Sequence, residues 1–188
     1  MNYFRLHDFV SPPDAWSLDY PRYLEPRGAA LNLFGGKKWI DDATIELAFV
    51  RNGTPVDYSH AGSAIPVISG KAFKICNRFW GNSAQVVPGL VGGSIRGYYV
   101  VNILSILSAL DERQSKYEKF ANGESRHGVD KTGCYRWVLN PIIDPSKVPD
   151  GVHIFRLFGF GVMIFVSEPL HDAMVAANVT GAGFDPAF

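Results

Sequence analysis

Ile95 to Ile103 reads Ile-Arg-Gly-Tyr-Tyr-Val-Val-Asn-Ile, so neighbouring positions, not alternate ones, are aromatic or β-branched. Side chains of a strand point to opposite faces in turn, so this run carries apolar groups on both. It must therefore lie inside a sheet that is covered on each side. The chain has the material for this. Of its 188 residues 47% are hydrophobic and 19% charged, enough apolar surface to offset the entropy of ordering and to exclude a disordered chain. The length suits a single domain, 1–188, that buries roughly 70% of its unfolded surface without staples.

Other elements follow from pattern and punctuation. Tyr3 to Val10 predicts a strand, broken by Ser11-Pro12-Pro13-Asp14. Pro21 and Pro26 keep the next stretch irregular. Ala43 to Val50 reads as a strand ending at the Asn52-Gly53 turn. Pro66-Val67-Ile68-Ser69 leads into a helix with Ser69 as its N-cap, and Ala72, Phe73 and Cys76 begin its apolar stripe. Cys134 to Leu139 alternates, with Tyr135, Trp137 and Leu139 on one face. Val152 to Leu157 and Val162 to Val166 read as two strands joined through Gly159-Phe160-Gly161. Ser167 caps a last helix that tolerates Pro169 in its first turn. Residues 1–60 are thus irregular and 61–188 form the regular core. The sum is an α+β fold, a mainly antiparallel sheet with two or three helices packed on it.

Composition excludes several functions. Lys plus Arg and Asp plus Glu are 18 each, with a pI near 7, which argues against nucleic acid held by bulk positive charge. The N-terminus lacks an apolar signal core, and no uncharged run approaches the ~20 residues of a membrane span. With two cysteines outside any C-x-x-C pair, the expectation is a protein of a reducing cytoplasm. Charge is uneven: residues 61–134 hold nine basic and five acidic residues, crowded into Asp111–Lys131. That stretch reads as a long polar loop, and loops of this length are uncommon unless functional.

No catalytic, metal or cofactor pattern emerges. Gly35-Gly36-Lys37-Lys38 lacks the spacing of a phosphate loop, and the five histidines are scattered. The most unusual segment is His153-Ile154-Phe155-Arg156. Alternation puts His153, Phe155 and Leu157 on one face and Ile154 and Arg156 on the other. An arginine in an apolar strand needs a carboxylate or several carbonyls. The expected partner is Asp111 or Glu168; the alternative is that Arg156 faces a ligand pocket.

The same segment belongs to a longer series. Pro66-Val67-Ile68-Ser69, Val86-Val87-Pro88, Tyr98-Tyr99-Val100-Val101-Asn102, Leu110-Asp111 with Ser115 and Tyr117, His153-Ile154-Phe155-Arg156, Val166-Ser167-Glu168 and Thr180-Gly181-Ala182-Gly183-Phe184 follow one another along the chain. In order and spacing they resemble a bacterial immunity-protein family of polymorphic toxin systems, the myxobacterial-type immunity domain, over about residues 66–185. The resemblance implies a protein that binds and neutralises a cognate protein toxin by covering its active site, with no cofactor and no catalytic residue to carry over. An exposed strand edge would also permit a homodimer. The loop-rich parts are then the expected interface: the N-terminal third, with Trp39, Asp41, Asp42 and Tyr58, and the Asp111–Lys131 excursion, with Lys116 and Lys119. Two rival readings are an enzyme that reverses a toxin's modification and a small-ligand module. The enzyme requires a concave pocket near Arg156 with Asp111, His153 or Glu168 beside it, and the module an enclosed apolar cavity near Arg156.

Overall fold

The Ile95–Ile103 run folds as one strand whose two faces enter different cores. Val101 and Ile103 join one buried cluster, and Val100 joins another on the opposite side. The computed structural model describes residues 1–9, 12–23, 33–39 and 44–188. In chain order its first strands are β1 (Tyr3–Asp8), β2 (Ser17–Leu18), β3 (Arg22–Tyr23), β4 (Ile45–Leu47), β5 (Phe49–Arg51), β6 (Tyr58–Ala61) and β7 (Ile65–Ser69). Helix α1 (Gly70–Trp80) follows, then β8 (Ala84–Val91), β9 (Ile95–Ile103) and β10 (Ile106–Leu107). A polar excursion carries β11 (Lys116–Lys119), β12 (Ser125–Arg126) and β13 (Val129–Asp130) and returns as β14 (Tyr135–Leu139). The chain closes with β15 (Ile154–Leu157), β16 (Phe160–Ser167), α2 (Glu168–Ala176) and β17 (Ala182–Pro186).

Two large sheets result. One has the order β3-β4-β8-β9-β7-β6-β2-β5 and the other β10-β15-β16-β1-β17. Most pairs are antiparallel; β4–β8, β2–β6 and β10–β15 are parallel. A central core joins both sheets to both helices, through Leu6, Tyr58, Ile68, Trp80, Val101 and Ile164 among others. Two further clusters cover the outer faces: Trp16, Leu47 and Val67 on the eight-stranded sheet, Phe155, Leu157 and Phe165 on the five-stranded one. The fold is therefore α+β, with both sheets buried on two sides.

Some expectations change. Pro66–Ser69 does not begin the helix but ends strand β7, fully buried. Ser69 still caps α1, accepting from Ala72 N at 3.2 Å. Ser167 sits at the N-cap of α2 without a cap bond, and Pro169 at the second helical position has no N–H to offer it. Its hydroxyl contacts His153 Nδ1 at 2.7 Å instead. The polar excursion is not a plain loop: β11 pairs with β14 and β12 with β13. A bulge between Glu118 and Lys119 breaks the expected alternation of β14. Tyr135 and Val138 turn inward, and Trp137 and Leu139 are left outside.

One carboxylate clasps three segments. Asp57 accepts from Ser69 Oγ at 2.7 Å, Lys71 Nζ at 2.8 Å and Thr180 N at 3.1 Å. It joins β6 to the N-terminus of α1 and to the turn before β17. Burial pushes its carboxyl up, but the hydrogen bonds from Lys71, Ser69 and Thr180 outweigh that and hold it below its ordinary value. Beside it Gly181 has a φ of +82°, and a Cβ there would meet Tyr58 O at 2.2 Å. Gly93, at φ +74°, faces open space.

Two outcomes follow from this arrangement. Gly181→Ala should cost more than about 2 kcal/mol in urea unfolding, and Gly93→Ala only about 1 kcal/mol, since the second lacks the backbone clash. The folded pKa of Asp57 lies below its unfolded value of about 3.9. Its contribution is complete above that value and is lost as pH falls through the folded pKa. Urea stability should therefore decline below about pH 4, and Asp57→Asn should lower stability at pH 7 and remove part of that slope.

Candidate interaction surface

Arg156 is completely buried, and neither expected carboxylate reaches it. Nη1 donates to Gly161 O at 2.6 Å and Nη2 to Ala64 O at 2.8 Å. The guanidinium carbon lies 4.8 Å from the centre of the Phe34 ring, a cation–π contact. Among the described residues Nε has no hydrogen-bond partner. Burial pushes the group down to about 10, still far above neutrality, so the charge persists. Asp111 instead accepts from Arg113 N at 2.9 Å and Gln114 Nε2 at 2.7 Å. Glu168 accepts from Asn2 Nδ2 at 3.1 Å, and His153 contacts Ser167 Oγ and the Phe79 ring. The structure does not bring these four residues into one pocket. Among the described residues no group of three or more His, Cys, Asp or Glu is placed to hold a metal ion. No helix among them is long and apolar enough to cross a membrane.

The residues expected at an interface fall in different places. Tyr58 is 1% exposed and belongs to the central core. Its OH contacts His60 Nε2 at 2.8 Å, and burial removes it from any docking surface. Trp39 is half-buried, edge-on to Tyr23 at 5.3 Å between ring centres. Its backbone is held by Gln85, which accepts from Trp39 N at 2.7 Å and donates to Trp39 O at 2.6 Å. Asp41 and Asp42 lie outside the described residues. Lys116 and Lys119 are exposed on β11. Lys119 pairs with Glu112 at 2.6 Å and lies over the Tyr135 ring at 5.1 Å.

The outward side of the excursion and the β15–β16 turn carries what the sequence reading missed. Leu139 is 58% and Phe158 59% exposed, and Trp137 and Val162 are also exposed. Exposed apolar side chains gathered in one place mark interaction sites more often than single ones do. Two clefts flank them. One, about 460 Å³, is lined by Phe34, Phe120, Leu157 and Phe158 with Arg126 and Lys131 on its lip. The other, about 370 Å³, includes Arg5, His7, His60, Trp137 and Leu139. Phe160 and Val162 line both and form the wall between them. The hairpin beneath is held firmly. Glu112 accepts from Tyr117, Tyr135 and Lys119, and the Lys119 bond, then that of Tyr135, holds its carboxyl below the usual range. Glu118 accepts from Trp137 Nε1 at 2.7 Å and Arg136 Nε at 2.9 Å.

A family model described as an immunity protein family, Imm11, matches residues 91–188, just over half the chain. The match begins at the end of β8, so it takes in β9 to β17, the excursion, Arg156 and the whole apolar wall. The Pro66–Ser69 and Val86–Pro88 segments lie outside it. Among curated proteins none matches.

Arg156 is expected to hold the wall in place. Arg156→Met leaves the carbonyls of Ala64 and Gly161 buried without that donor, which should cost about 2–4 kcal/mol. Hydrogen exchange should show amides of Phe158 to Val162 opening faster, and Arg156→Lys should restore only part of the loss because one ammonium cannot reproduce the fork.

Proposed function

The chain belongs to the Imm11 immunity protein family, and from that premise we propose that it binds a cognate protein toxin of a polymorphic system and neutralises it by covering the toxin's active site. It acts by occupancy, in the cytoplasm of the protected cell, without turnover and without a cofactor. The observation that carries this reading beyond the family is the exposed wall of Trp137, Leu139, Phe158 and Val162, set on a firmly bonded hairpin. Aromatic anchors on a preorganised surface are what a tight protein interface uses. Such an interface buries roughly 1,600 Å² in total, more than the wall alone supplies. Lys116 and Lys119 on the excursion, and Trp39 with Asp41 and Asp42 in the N-terminal third, are proposed to complete it.

Co-expression tests the reading. The reading frame beside this gene should arrest growth of a naive bacterium, and this protein should restore it. The two chains should co-purify as a stoichiometric complex. A neighbour that is harmless, or that kills regardless, removes the proposal. Rescue without complex formation would point to enzymatic reversal instead.

A further inference from the structure

The excursion engages each of its acidic groups internally, two of its cations, Lys119 and Arg136, among their partners, and leaves other cations without a bond among the described residues. Asp111 accepts from Arg113 N and Gln114, and Glu112 from Lys119, Tyr117 and Tyr135. Glu118 binds Arg136 and Trp137, and Glu124 binds Arg136 and Ala121 N. Asp130 accepts from Thr132 N at 2.8 Å and Thr132 Oγ1 at 2.7 Å. By contrast, the side chains of Lys116, Arg126 and Lys131 have no hydrogen bond or ion pair among the described residues. Arg126 and Lys131 stand on the lip of the 460 Å³ cleft, whose walls are Phe34, Phe120, Leu157 and Phe158. The protein as a whole is neutral and Asp111–Lys131 balances five basic against five acidic residues, so the positive field is local to this cleft, whose described lining holds Arg126, Lys131 and Arg136 and no carboxylate.

We infer that the toxin face covered by this protein is acidic and seats an apolar side chain in the cleft beside Phe158, with its carboxylates facing Arg126 and Lys131. The inference rests on the immunity reading and adds the chemistry of the partner. Charge complementarity selects the occupant. A phosphate-binding toxin cleft is basic, and it would meet these free cations with like charge, at a cost of specificity and association rate. The face that this protein covers is therefore not a phosphate-binding cleft. A second copy of this chain docked through the same surface would likewise bring the free cations together. A small anion in the cleft would leave Trp137 and Leu139, beyond the shared wall, still exposed. A protein surface covers both.

The test uses the full chain and the toxin whose killing it reverses. Wild-type protein should bind that toxin, with affinity falling at least about tenfold between 50 and 300 mM salt. R126E/K131E should weaken binding by at least about tenfold, mainly through slower association. R126Q/K131Q should give an intermediate loss. F158S/V162S should weaken binding by a similar factor through faster dissociation. K74E/R78E carries the same charge change on α1, outside both clefts, and should leave binding within about twofold. All five sets of protein should melt together, since every substituted side chain is at the surface. If wild type binds and rescues but R126E/K131E binds as well or better, the inference is overturned and the immunity reading stands. It is also overturned if R126E/K131E loses affinity only for a single-stranded oligouridylate and not for the toxin. If wild type neither binds nor rescues, the immunity reading falls and takes this inference with it.

Discussion

A single buried guanidinium ties the two sheets together. Arg156 rises from β15 in the five-stranded sheet and donates to Ala64 O, in the turn between β6 and β7 of the eight-stranded sheet. Its other nitrogen donates to Gly161 O on β16. A buried charge without a carboxylate is costly to desolvate, and here two carbonyls and the face of Phe34 supply the compensation. A second tie lies close by in the chain: His60 of β6 meets Asp8 of β1 at 3.2 Å, and that hydrogen bond keeps the Asp8 carboxyl below its usual range. Both ties converge on the β6–β7 hairpin. Of the two, the Arg156 bond to Gly161 O also anchors the β15–β16 hairpin that carries Phe158.

The sequence made the strands with two apolar faces legible, because their pattern leaves no other place for them. Ile95–Ile103 appears where that argument puts it, and the strand read over Val152 to Leu157 is present from Ile154. Ser69 was legible as a cap for the same reason, a short polar side chain at the end of an apolar run. The partners of Arg156 were not. A carboxylate can be found by scanning a sequence, but a free carbonyl is made by the backbone, here by the turn at Ala64 and by the register shift of the β15–β16 pair beside Gly161. The face of β14 was misread because one extra residue at the Glu118/Lys119 bulge moves Val138 in and leaves Trp137 out. The candidate surface was half legible. The charge of the excursion pointed to Lys116 and Lys119, whereas the pattern gave Trp137, Leu139 and Val162 only a place in strands and no sign of exposure. The clue was that β14 pairs only with a polar excursion, which cannot cover both its faces.

Several residues that carry the family likeness have structural tasks. Asn102 donates to Lys37 O at 2.8 Å and, with Gln85, fixes the backbone from Lys37 to Trp39. Thr180 closes the Asp57 clasp, and Gly181 lets the chain pass over Tyr58 O where no Cβ fits. His153 takes up the Ser167 hydroxyl that Pro169 leaves without a cap partner. These contacts define where loops leave the core, not what the loops meet.

That division has a physical consequence for recognition. A surface that must hold a partner tightly gains most when its own side chains are already ordered, because ordering them on binding costs free energy. The excursion meets this condition through its carboxylates, each engaged with a tyrosine, arginine, tryptophan or backbone donor inside the hairpin. These acids keep their charge, and Glu118 and Asp130 remain exposed, but none of them lines the 460 Å³ cleft. The same bonding that stiffens the hairpin therefore holds its acids away from the cleft, and the stiffness of the surface and the preference of the cleft for an acidic partner have one origin.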